Sequence, residues 1–280
     1  MKNILLLTDF SDNSCNAIEY ALSFYQKTVC NFHILHVSKI NHFNTHENRH
    51  ITGKEEIDEV FIKPVKEQLE RLKKRIINHP TNNKNHKFYT LADYSLFIDS
   101  VRKHVKEKEI DMIVMGTKGA SKLQQFILGS NAGNVITKVH CTTLVIPESV
   151  KYSTLKEIAF PTDFVLPYTP QVLQPIFEIL EKENPSLRIV HINKEKSLLN
   201  IDQQNNKNLL EDLLENYNYS FHSLTSKKTE HAVQLFVESR DVNMIVMIAK
   251  NLNYFQQILF HSKVEKISYH TSIPFLVLHE

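Results

Sequence analysis

Four of the five glycines in this 280-residue chain lie within one 18-residue window. They are Gly116, Gly119, Gly129 and Gly133, in the segment DMIVMGTKGASKLQQFILGSNAGNVITKV. Gly53 stands alone in a polar stretch, and no glycine follows residue 133. Glycine admits left-handed backbone angles and lets a ligand approach the main chain with no Cβ in the way. The apolar, β-branched run Met112–Met115 reads as a buried strand, and Gly116 follows it directly. Ser130 reads as the N-cap of a helix over 131–139. Strand, glycine loop and helix N-terminus in that order aim backbone N–H groups and a positive dipole end at one place. The chemistry this suits is the holding of an anion such as phosphate.

The spacing, Gly116-x2-Gly119-x9-Gly129-Ser130, is not that of a Walker A loop, because no Gly-Lys-Ser/Thr completes it. The glycines are also too far apart for the dinucleotide fingerprint. Lys118 lies between two of them, either as a point charge for a phosphate or as a solvated loop lysine. Asp9, in the segment TDFSD behind the first apolar run, is placed for ligand contact or for a turn shared with Ser11. Gly133 falls inside the helix and is given no role. His42, His46 and His50 would share a helix face and could bind metal, but Asn41, Asn44, Asn48 and Gly53 favour a solvated loop. The three cysteines, Cys15, Cys30 and Cys141, lack metal-type spacing and read as free thiols of a reducing, cytoplasmic compartment. No catalytic Ser–His–Asp or Cys–His order is recoverable. His36 reads as a strand-end histidine, because His191 repeats it in the second half of the chain.

The elements that must position these residues occur twice. Asp111-Met-Ile-Val-Met115 parallels Asn243-Met-Ile-Val-Met247, and Leu123-Gln-Gln-Phe126 parallels Phe255-Gln-Gln-Ile258. Ile4–Phe10 (ILLLTDF) parallels Ile158–Phe164 (IAFPTDF), in the same order. A duplication of about 140 residues accounts for this. Strands are expected near 3–8, 31–37, 87–91, 111–116 and 142–147, with helices near 12–27, 55–79, 94–107 and 130–139. In the second half strands are expected near 157–162, 187–193, 219–224, 242–247 and 274–279, with helices near 167–182, 204–217, 229–239 and 261–270. Alternation of this kind implies two tandem α/β domains, each an open parallel sheet of about five strands with helices on both faces. They divide as 1–148 and 155–280.

A net charge of +2, from 33 basic and 31 acidic residues, provides no field for nucleic acid or an anionic membrane. No apolar run approaches the ~20 residues of a membrane span. The N-terminal run is too short for a signal peptide, which needs roughly 7–15 apolar residues.

With the glycine spacing, TDFS after the first strand and His36-Val37 at the end of the second, the chain resembles a tandem member of the universal stress protein family. It carries the motif of the family's ATP-binding subgroup, and the likeness covers nearly all of the chain. The resemblance implies an adenine nucleotide (ATP, ADP or AMP), with Mg2+ on its phosphates. It implies that Gly116 lies beside the ribose and that Gly119, Gly129 and Ser130 hold phosphate, with a backbone N–H from Asn131. It implies that Asp9 lies near the ribose and the metal-linked phosphates, and that the backbone of Val37 reads the adenine edge. It further implies that terminal strands of the two domains pair within the chain, with a homodimer as a further possibility. The second half replaces Gly116, Gly119 and Gly129 by Ile248, Asn251 and His261. One nucleotide site per chain is therefore expected, in the first domain. The leading reading is a regulatory ATP-binding stress protein with slow hydrolysis at most. A phosphotransfer enzyme and a nucleotide-independent interaction module are the alternatives.

Overall fold

The computed structural model describes residues 1–39, 57–117, 130–193, 198–249 and 273–279. The first half forms β1 (Lys2–Leu7), α1 (Asp12–Phe24), β2 (Cys30–Lys39), α2 (Lys63–Ile77), β3 (Lys87–Ser95), α3 (Phe97–Glu107), β4 (Met112–Gly116), α4 (Ser130–Lys138) and β5 (Thr143–Ile146). The second forms β6 (Glu157–Thr162), α5 (Pro170–Glu183), β7 (Ser186–Asn193), α6 (Ile201–Leu214), β8 (Tyr219–Thr225), α7 (Thr229–Ser239), β9 (Met244–Ile248) and β10 (Phe275–Leu278). The helix expected near 261–270 and the three loop histidines lie outside the described residues.

Several element ends differ from expectation, each for a local reason. β3 runs to Ser95 rather than 91, because Leu91–Ser95 pair in register with Leu35–Lys39. The helix expected from 55 opens with a π-helical stretch, Asp58–Ile62, before α2. Pro64, in the first turn of α2, has no N–H to give to a helix running through it. α5 starts at Pro170 because Thr169 caps it, its side chain accepting from the Val172 N–H. α6 starts three residues earlier than expected, at Ile201, because Asn200 and Gln203 form a reciprocal capping box.

All ten strands join one sheet in the order β3-β2-β1-β4-β5-β10-β9-β6-β7-β8. Each half is parallel throughout and repeats the other's strand order. The halves meet through an antiparallel pair, with Thr143, Leu144 and Val145 of β5 opposite Val277, Leu276 and Phe275 of β10. This is the intrachain pairing of terminal strands. Alternate residues feed two cores, one on each face. Ile4 and Leu6 of β1 join Phe32, Phe160 and Leu276 on one side. Leu5 and Leu7 join Ile113, Val145 and Phe275 on the other.

The seam is also tied by side chains. The Lys182 ammonium of α5 donates to the Phe24 carbonyl at the C-terminal end of α1 (2.6 Å), where the helix dipole favours a cation. The connector after β5 docks on α1: Asn16 Nδ2 donates to the carbonyls of Pro147 (3.2 Å) and Val150 (2.9 Å). Among the described residues no helix is long and apolar enough to cross a membrane.

His279, directly after β10, lies with its ring 6.0 Å from that of His140 beside β5. Burial first, then the charge of His140, pushes its pKa down to about 4. An unfolded histidine titrates near ~6.5. Below that pH the unfolded chain takes the proton and the folded chain resists it, so stability is lost as pH falls from ~6.5 toward about 4. His279→Phe should lessen the loss between neutral pH and about pH 5 by on the order of 1–2 kcal/mol, measured by denaturant unfolding at both pH values. An unchanged acid loss would remove His279 from the seam's energetics.

Candidate functional site

Strand order reverses between β1 and β4: β1 leads to β2 and β3 on one side, and β4 leads to β5 on the other. In an open parallel sheet such a reversal opens a crevice at the carboxyl ends of the strands, where ligands bind. Asp9, Val37 and Gly116 all stand at this rim, behind or at the ends of β1, β2 and β4.

The chain leaves β1 by a turn built from its own hydroxyls. Thr8 N–H still donates to the Leu35 carbonyl of β2 (3.0 Å). Thr8 Oγ1 then accepts from the Phe10 N–H (3.0 Å) and pairs with Ser14 Oγ of α1 (3.0 Å). Phe10 sits in the left-handed region (φ 63°), a strained angle for its type. Asp9 Oδ1 accepts from the Ser11 N–H (3.1 Å) and Ser11 Oγ (2.5 Å), and Ser11 Oγ caps α1 by accepting from the Ser14 N–H (3.3 Å). Asp9 is thus part of the turn ahead of α1, as well as standing at the mouth of the crevice.

That turn sets what Val37 can do. Along a strand the N–H and C=O of one residue point to the same side, and residues two apart share it. The Leu35 carbonyl faces β1, where it meets Thr8. Val37 therefore aims its own N–H and C=O past the point where β1 has turned away. A donor and an acceptor are thus left without a β1 partner at the rim.

Gly116, the last residue of β4, is buried and pairs with Ile146. A Cβ built on it would lie 2.8 Å from the carboxamide atoms of Asn13 on α1. A Cβ here would therefore require the Asn13 side chain to move. Ser130, the first described residue after 117, lies in α4, and the residues before it, where a cap is sought, lie outside the described residues. It is exposed, Asn131 is half-buried, and Ala132 and Gly133 are buried. Lys118, Gly119 and Gly129 lie outside the described residues. The structure therefore brings Asp9, Val37 and Gly116 to one rim, with Ser130 and Asn131 opening α4.

His36 belongs to the scaffold. Its Nδ1 is 2.9 Å from the Thr8 carbonyl and its ring stacks on Phe10 at 4.7 Å. Burial holds its pKa below the usual range, against smaller upward pulls from the Thr8 hydrogen bond and Asp9. The second half repeats the arrangement: His191 Nδ1 is 2.9 Å from the Thr162 carbonyl, and its ring is 5.1 Å from Phe164 (φ 57°). Asp163 Oδ1 accepts from the Val165 N–H at 3.1 Å, as Asp9 does from Ser11. The end of β9 differs. Ile248 stands where Gly116 stands in the first half, half-buried against the core. α6 also clamps the turn: Gln203 Nε2 donates to the Asp163 carbonyl, and Asn206 Nδ2 to the Phe164 carbonyl (both 2.8 Å).

Sequence reasoning missed Asn13. Its trace is a run of polar residues, Asn13, Ser14 and Asn16, on the buried side of α1, where a core helix would be apolar. Also missed was a buried cluster beside Val37. Asp93, in register with Val37, accepts from Ser100 Oγ (2.6 Å) and lies 2.9 Å from His104 Nε2. Among the described residues no group of three or more His, Cys, Asp or Glu is placed to hold a metal ion.

Two open parallel half-sheets, each with a strand reversal flanked by helices, define a tandem doubly wound α/β protein. The model of the universal stress protein family matches residues 1–147, and the chain belongs to that family. A universal stress protein of Methanocaldococcus jannaschii is 27% identical over 151 residues, 54% of this chain and 84% of that protein. Universal stress protein YxiE of Bacillus subtilis is 25% identical over 146 residues, 51% of this chain and 97% of that one. In fold, a universal stress protein from Archaeoglobus fulgidus aligns over 98% of this chain and 97% of its own, with a TM-score of 0.69 at 17% identity.

The contact between Gly116 and Asn13 gives a paired prediction. Gly116→Ala should cost about 1–3 kcal/mol, because the Asn13 side chain must shift within a packed crevice. Asn13→Ala in the same chain should return much of that loss. A double-mutant cycle by denaturant unfolding measures the coupling, and strictly additive losses would refute the contact.

Proposed function

We propose that the first half of this chain binds one adenine nucleotide, ATP or its products ADP and AMP, as a regulatory ligand of a stress-response protein. The observation that carries this reading is the internal comparison. Both halves build the same β1-type exit, the same histidine contact and the same strand order, yet only the first has Gly116-x2-Gly119-x9-Gly129-Ser130 after its fourth strand. The scaffold does not need those glycines as a set, so a ligand is their simplest purpose. The position of Val37 supports a nucleobase against its backbone, and the start of α4 at Ser130 and Asn131 supports phosphate at a helix N-terminus. Gly119 and Gly129 complete the cradle, with Lys118 as its nearby charge. Asp9 is a single carboxylate at the mouth, which suits a Mg2+ ion that arrives on phosphates and keeps most of its waters. Phosphoryl transfer asks for a charge clamp, metal ligands and a positioned nucleophile together. Asp9 and Lys118 do not amount to that set, so turnover is slow at most.

On this reading the domains are 1–148 and 155–280, the second being a structural partner with a degenerate crevice. The protein acts in the cytoplasm, without nucleic acid or membrane partners, and a homodimer would form through surfaces other than the β5–β10 seam.

Denaturing the purified protein and identifying released small molecules by mass spectrometry should yield adenine nucleotide. Calorimetric titration of the stripped protein with ATP should give one site per chain, and two equivalent sites would refute the asymmetry. Gly129→Val should abolish binding while leaving the melting temperature within a few degrees of the parent. Normal ATP binding by that variant would overturn the site assignment.

A further inference from the structure

A serine with activated-nucleophile geometry lies in the second half, apart from the crevice. Ser220 stands on β8, the edge strand of the sheet. Its Oγ is 2.9 Å from His222 Nε2, two residues along the same strand. The Arg188 guanidinium, in register on β7, donates to Ser220 Oγ from Nη1 at 2.8 Å. Arg188 is fixed in turn by a two-point pair with Glu157 on β6, Nε to Oε2 at 2.6 Å and Nη2 to Oε1 at 2.8 Å. Oγ accepts from Arg188 and keeps its own proton to donate to His222 in the tautomer whose Nε2 is unprotonated.

The imidazole is suited to take that proton. Burial first, then the charges of Arg240 and Arg188, hold the His222 pKa below its usual range, against a smaller upward pull from Glu157. It is therefore neutral at neutral pH. Its ring is set by Phe236 of α7 at 5.1 Å, over which the Arg240 guanidinium also lies at 5.6 Å. Ser220 and His222 are both half-buried, so neither residue is sealed in the core.

The first half shows that the fold does not require this row. Matching Ile4 to Ile158 and following the strand registers places His33, Tyr89 and Leu91 where Arg188, Ser220 and His222 stand. There the face is filled by a ring stack of His33 on Tyr89 at 5.1 Å, with no serine–histidine pair.

We propose that Ser220 is a nucleophile that takes up the acyl group of small activated esters, with His222 as its base and Arg188 as the charge that steadies the oxygen. In the step, Ser220 Oγ forms a bond to the carbonyl carbon, and the bond from that carbon to the leaving oxygen breaks. The hydroxyl proton passes to His222 Nε2 and from there to the departing oxygen. A hydroxyl hydrogen-bonded to a neutral imidazole is the usual arrangement for such a step.

The probe is p-nitrophenyl acetate, given to the full chain in stopped flow and followed by peptide mapping. The expected result is a burst of about one p-nitrophenolate per chain, from acyl-enzyme accumulation, with the acetyl group on Ser220. Ser220→Ala should lose the burst, and His222→Gln should slow acylation by about 10²-fold or more at an unchanged melting temperature. Acetyl found only on lysines or the terminal amine, or an equal burst in Ser220→Ala, would overturn the proposal. Should either variant fold poorly, the position of the adduct in the unaltered chain still decides.

Discussion

β1 and β2 are hydrogen-bonded only as far as Leu35 and Thr8, while β2 continues to Lys39 beside β3. That inequality in length is what the crevice rests on. A β1 two residues longer would occupy the backbone of Val37 in a ladder and close the gap at the strand reversal. The short strand is enforced by the turn that ends it: Thr8 accepts from Phe10, Asp9 from Ser11, and Ser11 starts α1. The left-handed angle at Phe10 is the strain this turn carries, and the same angle at Phe164 shows that both halves carry it.

The two halves then part in what they do with the space. In the first, Gly116 lets the Asn13 carboxamide lie against the end of β4 without filling the crevice. In the second, Ile248 ends the corresponding strand, and Gln203 and Asn206 pin the turn to α6 through its carbonyls. The second half thus carries an aliphatic side chain and three carbonyls bound to α6 where the first half carries a glycine and the capping turn of α1. The second half also completes the sheet, since β10 covers β5, an apolar strand that would otherwise be an exposed edge.

The alternation of apolar strands with amphipathic helices, repeated in the same order, is enough to read two open parallel sheets, and the ten-stranded order agrees. Helix starts are legible only where the cap is recognisable. Ser11 ahead of α1 is such a cap, whereas the Asn200–Gln203 box opening α6 lies in a polar run that hides it. The length of β3 is not legible, because what extends it is pairing with β2 rather than its own pattern. Of the candidate residues, Asp9 and Gly116 stand out because each lies directly behind or at the end of a legible strand, whereas Val37 is singled out only by the family resemblance. Asn13 and the Asp93–Ser100–His104 cluster do not stand out, since contacts made between separate elements leave no spacing to count.

The antiparallel seam also fixes polarity. Within each half all strands point one way, and across β5 and β10 the direction inverts. The carboxyl-end rim of the first half therefore lies at one end of the sheet and that of the second half at the other. Alongside the first rim run the amino ends of β6, β7 and β8, not their carboxyl ends. With neighbouring strands ~4.8 Å apart, Ser220 on β8 stands roughly 34 Å along the sheet from β1, counted over seven strand spacings. The two halves thus turn the carboxyl ends of their strands to opposite ends of the sheet, one ending at Gly116 and the other at Ile248.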